Sequence, residues 1–265
     1  MRDKDIYAGW KKRCDRLSQG ELEVTLLNIK RDADNYLKIV NPDRESSQEV
    51  RYRLKSYTRL GIMTPTPFLL NAMRWREDGK IDDLGLCKIV DLIQSFLVRR
   101  IFSYVPTNTL NRIFIRLTEQ LPDYEDLVHA THEALSQAGL RWPADSQFRE
   151  HFMTYKLYQD TRPSQRSLVL RTLELHLGHK EAPSLEQLDI EHVMPQTLTE
   201  EWKADLGKDA EDLHTRWLHT IGHLTLTGYN SELSNDTFAV KRERYRQSNV
   251  RSEPQKANRS QSQLF

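Results

Sequence analysis

The sequence predicts a mainly α-helical protein whose last quarter holds a small strand–strand–helix unit with a helical insert. Three observations carry this reading. Apolar residues recur at helical spacing through the first two-thirds of the chain, and no β-alternating run of any length precedes residue 180. Two short segments suited to strands, L-D-I-E-H-V and L-T-L-T, appear only after that point and lead into a closing helix.

The helices follow in order. Leu22, Leu26, Ile29, Ala33, Tyr36, Leu37 and Val40 lie at helical spacing, and Asn41-Pro42 stops the run. Asp82 or Asp83 caps a long helix with the stripe Leu86, Ile89, Val90, Ile93, Phe96, Leu97 and Ile101, and Pro106 ends it. Thr107–Leu121, Tyr124–Leu140, Gln147–Tyr158 and Ser164–Leu177 read as four more helices, separated by Pro, Gly or Asp. The texture changes near Gly178. Leu188–Val193 alternates as a short strand, broken by Pro195. Trp202–Leu206 and Ala210–His219 form a helical insert, and Leu224–Thr227 is the second strand between Gly222 and Gly228. A turn rich in Asn and Ser leads into a helix over Thr237–Gln247. Past about Ser248 the chain is too poor in apolar residues to build a core and is expected to be disordered. The resulting division is a helical domain over residues 1–178, a second domain over 179–250 and a tail over 251–265.

Composition narrows the class. The chain has 265 residues, 38% hydrophobic and 29% charged, enough for a real core and typical of a soluble protein. It has no apolar run long enough to span a membrane and no secretory h-region, so a cytoplasmic location and no membrane partner are expected. Cys14 and Cys87 lie far apart without a C-x-x-C pair, which suits two reduced thiols rather than a zinc knot. Net charge is +1, but Lys241, Arg242, Arg244, Arg246, Arg251, Lys256 and Arg259 crowd the C-terminal end against Glu243 and Glu253. Such an end is either a solvated helix face or a track for phosphates.

The chemistry concentrates in three pieces: I-E-H-V-M-P-Q (Ile190–Gln196), G-H-L-T-L (Gly222–Leu226), and Asn230 with Asn235, leading into the helix that bears Lys241. The first sets a carboxylate beside an imidazole at a strand end. Hydrolysis of a phosphodiester needs a base for water, and neutral imidazole suits it near neutral pH. It also needs a cation at the leaving oxygen, and Mg²⁺ takes a sparse shell of oxygen ligands, here the Glu191 carboxylate and the Asn230 amide. His214, His219 and His223 hint at zinc, but Gly222 and the following strand spoil a common helix face.

Taken together, E-H-V-M-P-Q, I-G-H-L-T-L and Y-N-S-E-L-S-N-D-T-F-x-x-K resemble the C-terminal domain of GmrSD-type, SspE-like restriction endonucleases. That family is a branch of the HNH, or His-Me finger, nucleases, with a ββα-metal core. The resemblance implies His192 as general base and Glu191 as metal ligand, with Asn230 as second metal ligand and site residue and Asn235 as its alternate. It places Lys241 where the family has a lysine facing the phosphate backbone, with Arg242 and Arg244 beside it as DNA contacts. S-F-L-V-R-R-I-F and P-T-N-T-L-N-R-I-F also resemble the segment preceding the family's nuclease core, which extends the likeness to roughly residues 80–247. Two departures stand out. His223 occupies the place of an asparagine in the family's G-N-L-T-L, where it supports the site or binds metal, and the D-G-Q-Q-R motif of an NTP-dependent domain is missing.

The expected function is therefore a Mg²⁺- or Mn²⁺-dependent DNA endonuclease, nicking or cutting both strands, in bacterial restriction or anti-phage defence. Its partners are DNA and a sensor or NTPase domain or subunit. The alternative is a catalytically inactive HNH relative that binds DNA or protein. A cysteine hydrolase built on Cys87 is disfavoured, because that residue lies on an apolar stripe.

Overall fold

In the computed structural model the described residues are 3–121, 124–137, 142–177, 188–228 and 235–247. They are mainly helical, with one two-stranded sheet. The chain forms two compact units. One comprises Met1–Thr58, Ile62–Ile93 and Asn108–Ala134, the other Arg59–Gly61, Gln94–Thr107 and Leu135–Phe265. The unit that holds the strands thus also takes in helices that precede Gly178.

The first unit is built from α1 (Asp3–Cys14), α2 (Gln19–Val40), most of α3 (Gln48–Leu60), α4 (Thr66–Glu77), the first half of α5 (Asp83–Phe102), α6 (Leu110–Gln120) and most of α7 (Leu127–Ser136). Ser18 and Glu21 close α2 with a reciprocal capping box, satisfying two of its orphan N–H groups. The α2 helix is as the periodicity predicts, but its apolar stripe is not its buried side: Leu26, Ile29, Tyr36, Leu37 and Val40 are exposed. Asn35 and Ile39 face inward instead. Ion pairs from Arg31 to Glu77 and Asp78, and from Asp32 to Arg74, hold the flank of α2 against α4. By contrast, the stripe of α5 is buried along its length, from Leu86 through Leu97.

The second unit contains the end of α5, α8 (Asp145–Thr154), α9 (Leu157–Asp160), α10 (Pro163–His176), β1 (Asp189–His192), α11 (Glu200–Leu206), α12 (Ala210–Trp217), β2 (Leu224–Thr227) and α13 (Phe238–Gln247). One predicted helix splits: Tyr155 and Lys156 leave helical geometry, and α8 and α9 are separate. β1 and β2 pair antiparallel, with Asp189 opposite Thr227 and His192 opposite Leu224. The order of strand, helical insert, strand and helix is the one the sequence predicts.

Two apolar clusters fix the strand pair. Phe102, Tyr155, Leu157, Leu170, Leu224 and Leu226 pack together, with Leu188, Ile190 and Ile221 against them. Met194, Trp202 and Leu218 form the second cluster, with Phe238 of α13 packed on it. The Trp202 indole N–H donates to the Asp236 carbonyl at 3.0 Å, which ties the insert to the start of α13. The predicted tail, past Ser248, lies outside the described residues.

Candidate active site at the end of the strand pair

Successive residues on a strand point to opposite faces, and the last two of β1 obey this rule. Glu191 turns to α13 and His192 to the turn after α12. Both are nearly closed to solvent, at 6% and 4% exposure. The chain bends directly after them. The Val193 N–H donates to the His223 carbonyl at 2.9 Å, and the Pro195 carbonyl lies 2.9 Å from the His214 Nε2. Pro195 therefore marks the bend that its sequence position suggests.

On the Glu191 side the partner is Lys241. Its ammonium donates to Glu191 Oε1 at 2.6 Å and to the His192 carbonyl at 2.9 Å. Lys241 is fully buried, which corrects the expectation that it faces a phosphate backbone. The reason is electrostatic: a buried carboxylate demands a compensating charge, and Lys241 supplies it from one turn into α13. Burial nevertheless pushes the Glu191 carboxyl above its ordinary value, outweighing the lowering by the Lys241 hydrogen bond and charge.

On the His192 side the surroundings are aromatic and polar. His192 Nε2 lies 3.3 Å from His219 Nδ1. The Tyr158 ring stands edge-on to His192 with centroids 4.4 Å apart and is stacked on His219 at 5.7 Å. Arg166 places its guanidinium 4.0 Å over the Tyr158 ring and donates to the Tyr158 carbonyl at 2.5 Å. Burial lowers the His192 pKa to about 4, and His219, Lys241, Arg166 and His214 further oppose its protonated form. Burial is also the leading cause of the lowered pKa values of His219 and His223.

A stability consequence follows. The His192 pKa falls from 6.5 to about 4 on folding. Between these values the unfolded chain binds the proton more readily, so stability is full above the upper value and is lost as pH falls toward the lower one. The loss amounts to up to about 3 kcal/mol for this residue. Urea unfolding at about pH 7 and about pH 5 checks it. His192→Gln is expected to flatten the pH dependence, and an unchanged slope in that variant would show that the ring titrates freely in the fold.

The remaining candidates are less concentrated. His223 reaches the bend through its main-chain carbonyl; its Nδ1 is buried without a hydrogen-bond partner among the described residues. Asn235 is exposed just before α13, and Asn230 lies outside the described residues. Arg242 and Arg244 are half-buried on α13, and Arg246 pairs with Glu243 at 3.4 Å. Sequence reasoning weighed His219 only as a zinc candidate and missed Tyr158 and Arg166, which no motif marks. It also missed a groove of about 740 Å³ lined by Thr154, Lys156, Asp212, Thr215, Arg216 and Trp217. No group of three or more His, Cys, Asp or Glu side chains among the described residues is arranged to hold a metal. No described helix is long and apolar enough to cross a membrane.

A strand pair bridged by a helical insert, closed by a helix and carrying a buried Glu-His step, defines a histidine-centred domain on a mainly helical chain. Residues 142–261 match the family model of the GmrSD restriction endonucleases, C-terminal domain, so this part of the chain is similar to a domain of that restriction-endonuclease type. The match opens just before α8 and contains Tyr158, Arg166, Glu191, His192, His219 and Lys241. No curated protein and no solved structure matches the chain.

Proposed function

We propose that this domain is an HNH-type DNA endonuclease of a bacterial restriction or anti-phage system, acting in the cytoplasm, with His192 as its general base. The observation that supports it best is the coincidence of the family match with a buried imidazole held neutral at the end of β1. In this reading His192 Nδ1 takes a proton from water. The resulting hydroxide attacks phosphorus, the P–O3′ bond breaks, and the departing oxygen is protonated from solvent, leaving a 5′-phosphate and a 3′-hydroxyl. A base with so low a pKa is weak, and the approach of an anionic phosphate raises it toward a more useful range.

Mg²⁺ or Mn²⁺ belongs to the proposal, supplying positive charge to the phosphate and leaving oxygen when bound. The donor set suits an ion that keeps most of its waters. Glu191 would hold it with the oxygen outside the Lys241 bond, together with Asn230 or Asn235. Arg242 and Arg244 are assigned to the DNA backbone, joined by Lys156 and Arg216 of the groove. A sensor or NTPase domain or subunit is the proposed protein partner.

One observation favours a second reading. The Lys241 ammonium already answers the Glu191 charge and lessens that carboxylate's need for a cation, which would suit a domain that binds DNA without cutting it. Incubation of supercoiled plasmid, unmodified and base-modified, with Mg²⁺ or Mn²⁺ separates the two. Nicked or linear DNA with 5′-phosphate ends, lost on chelation, is expected. Salt-sensitive binding without strand scission under either metal would instead support the second reading.

A further inference from the structure

We propose that His219 is the positioning residue of His192, fixing its tautomer and ring plane so that Nδ1 is the basic nitrogen. The inference rests on the reading of His192 as the base. Two neutral imidazoles whose nitrogens face each other at 3.3 Å hold one proton between them. For Nδ1 of His192 to accept a proton from water, its own proton must sit on Nε2. That N–H then donates to His219 Nδ1, and His219 carries its proton on Nε2. When His192 becomes an imidazolium, the same lone pair of His219 still receives its Nε2–H, so the acceptor is in place before and after proton transfer.

His219 is itself held on several sides. Its carbonyl accepts from the Tyr158 N–H at 3.1 Å, and its ring lies against Tyr158 at an interplanar angle of 14°. The ring stands at 76° to His192, with its Nδ1 3.3 Å from His192 Nε2. The following turn is closed by Thr220, whose main-chain N–H and hydroxyl both donate to the Trp217 carbonyl, at 3.0 and 2.8 Å. An acceptor on so constrained a turn costs little reorganisation, the condition for steering a catalytic ring.

Two variants of the full chain test the proposal. His219→Phe keeps a ring against Tyr158 and removes the acceptor; His219→Asn returns a polar atom near the position of Nδ1. Cleavage of plasmid DNA in Mn²⁺ is expected to lose about 10- to 100-fold in kcat for His219→Phe with little change in KM, and to recover substantially in His219→Asn. Ring ¹⁵N NMR of histidine-labelled protein provides a readout independent of activity. Wild type is expected to show the His192 proton on Nε2, and His219→Phe a mixture of tautomers. A wild-type His192 protonated on Nδ1, or full kcat in His219→Phe, would overturn the proposal. If the wild-type chain cuts no DNA yet shows the Nε2–H tautomer and its loss in His219→Phe, the pairing stands and the assignment of a base falls.

Discussion

Lys241→Met is expected to lower the unfolding free energy by about 3–5 kcal/mol, the usual cost of leaving one member of a buried ion pair alone. Lys241 has no exposure, and it satisfies both Glu191 Oε1 and the His192 carbonyl. Removing the ammonium strands a carboxylate and a carbonyl of residues that are almost closed to solvent. Methionine roughly preserves the aliphatic stem, so the loss is electrostatic rather than a cavity effect. The doubly substituted Glu191→Gln, Lys241→Met protein carries no unpaired charge and should recover most of the loss. Urea titration of the four proteins in the cycle measures this. A single variant within about 0.5 kcal/mol of wild type would mean that the pair is open to solvent.

His192→Ala should abolish DNA cleavage while leaving the helical fold in place. Positioned acid–base groups contribute about 10²- to 10⁴-fold to rate, which is the range of loss expected here. The fold should survive because the ring's environment is costly for its charged form. Alanine removes a buried polar group whose ring contacts, Tyr158 and His219, also touch each other. Circular dichroism and urea unfolding of the variant separate lost chemistry from lost structure.

Much of the architecture is written in local patterns. The α5 stripe predicts its buried side because a long apolar run has few other ways to be satisfied. The strands are legible from alternation bounded by Gly and Pro, and the register then follows from pairing. The α2 stripe misleads because periodicity gives a face and not its partner; ion pairs to α4 decide which side turns inward. Three helices, α1, α3 and α4, have weaker signals. Val50, Leu54 and Tyr57 of α3 are diluted by charged residues, and α4 opens on Thr66-Pro67, where proline serves as a helix start rather than a break.

The site divides in the same way. Glu191 and His192 are neighbours in a motif and can be found by reading along the chain. Their partners cannot. Lys241 is distant in sequence from the carboxylate it neutralises, and a lysine in a basic helix gives no local sign that it will be buried. His219 sits at the end of the insert, and only the packing of Tyr158 and the turn beyond α12 brings its ring to His192. Long-range pairing of polar groups is set by tertiary geometry, which a linear pattern does not encode.

The most direct test of the whole account is the single-turnover rate at which wild type and His192→Ala cut the same DNA in Mn²⁺, with both proteins shown to be equally folded. Measurable scission by wild type and a loss of about 10²-fold or more in the variant are expected. Equal rates in the two proteins would contradict this.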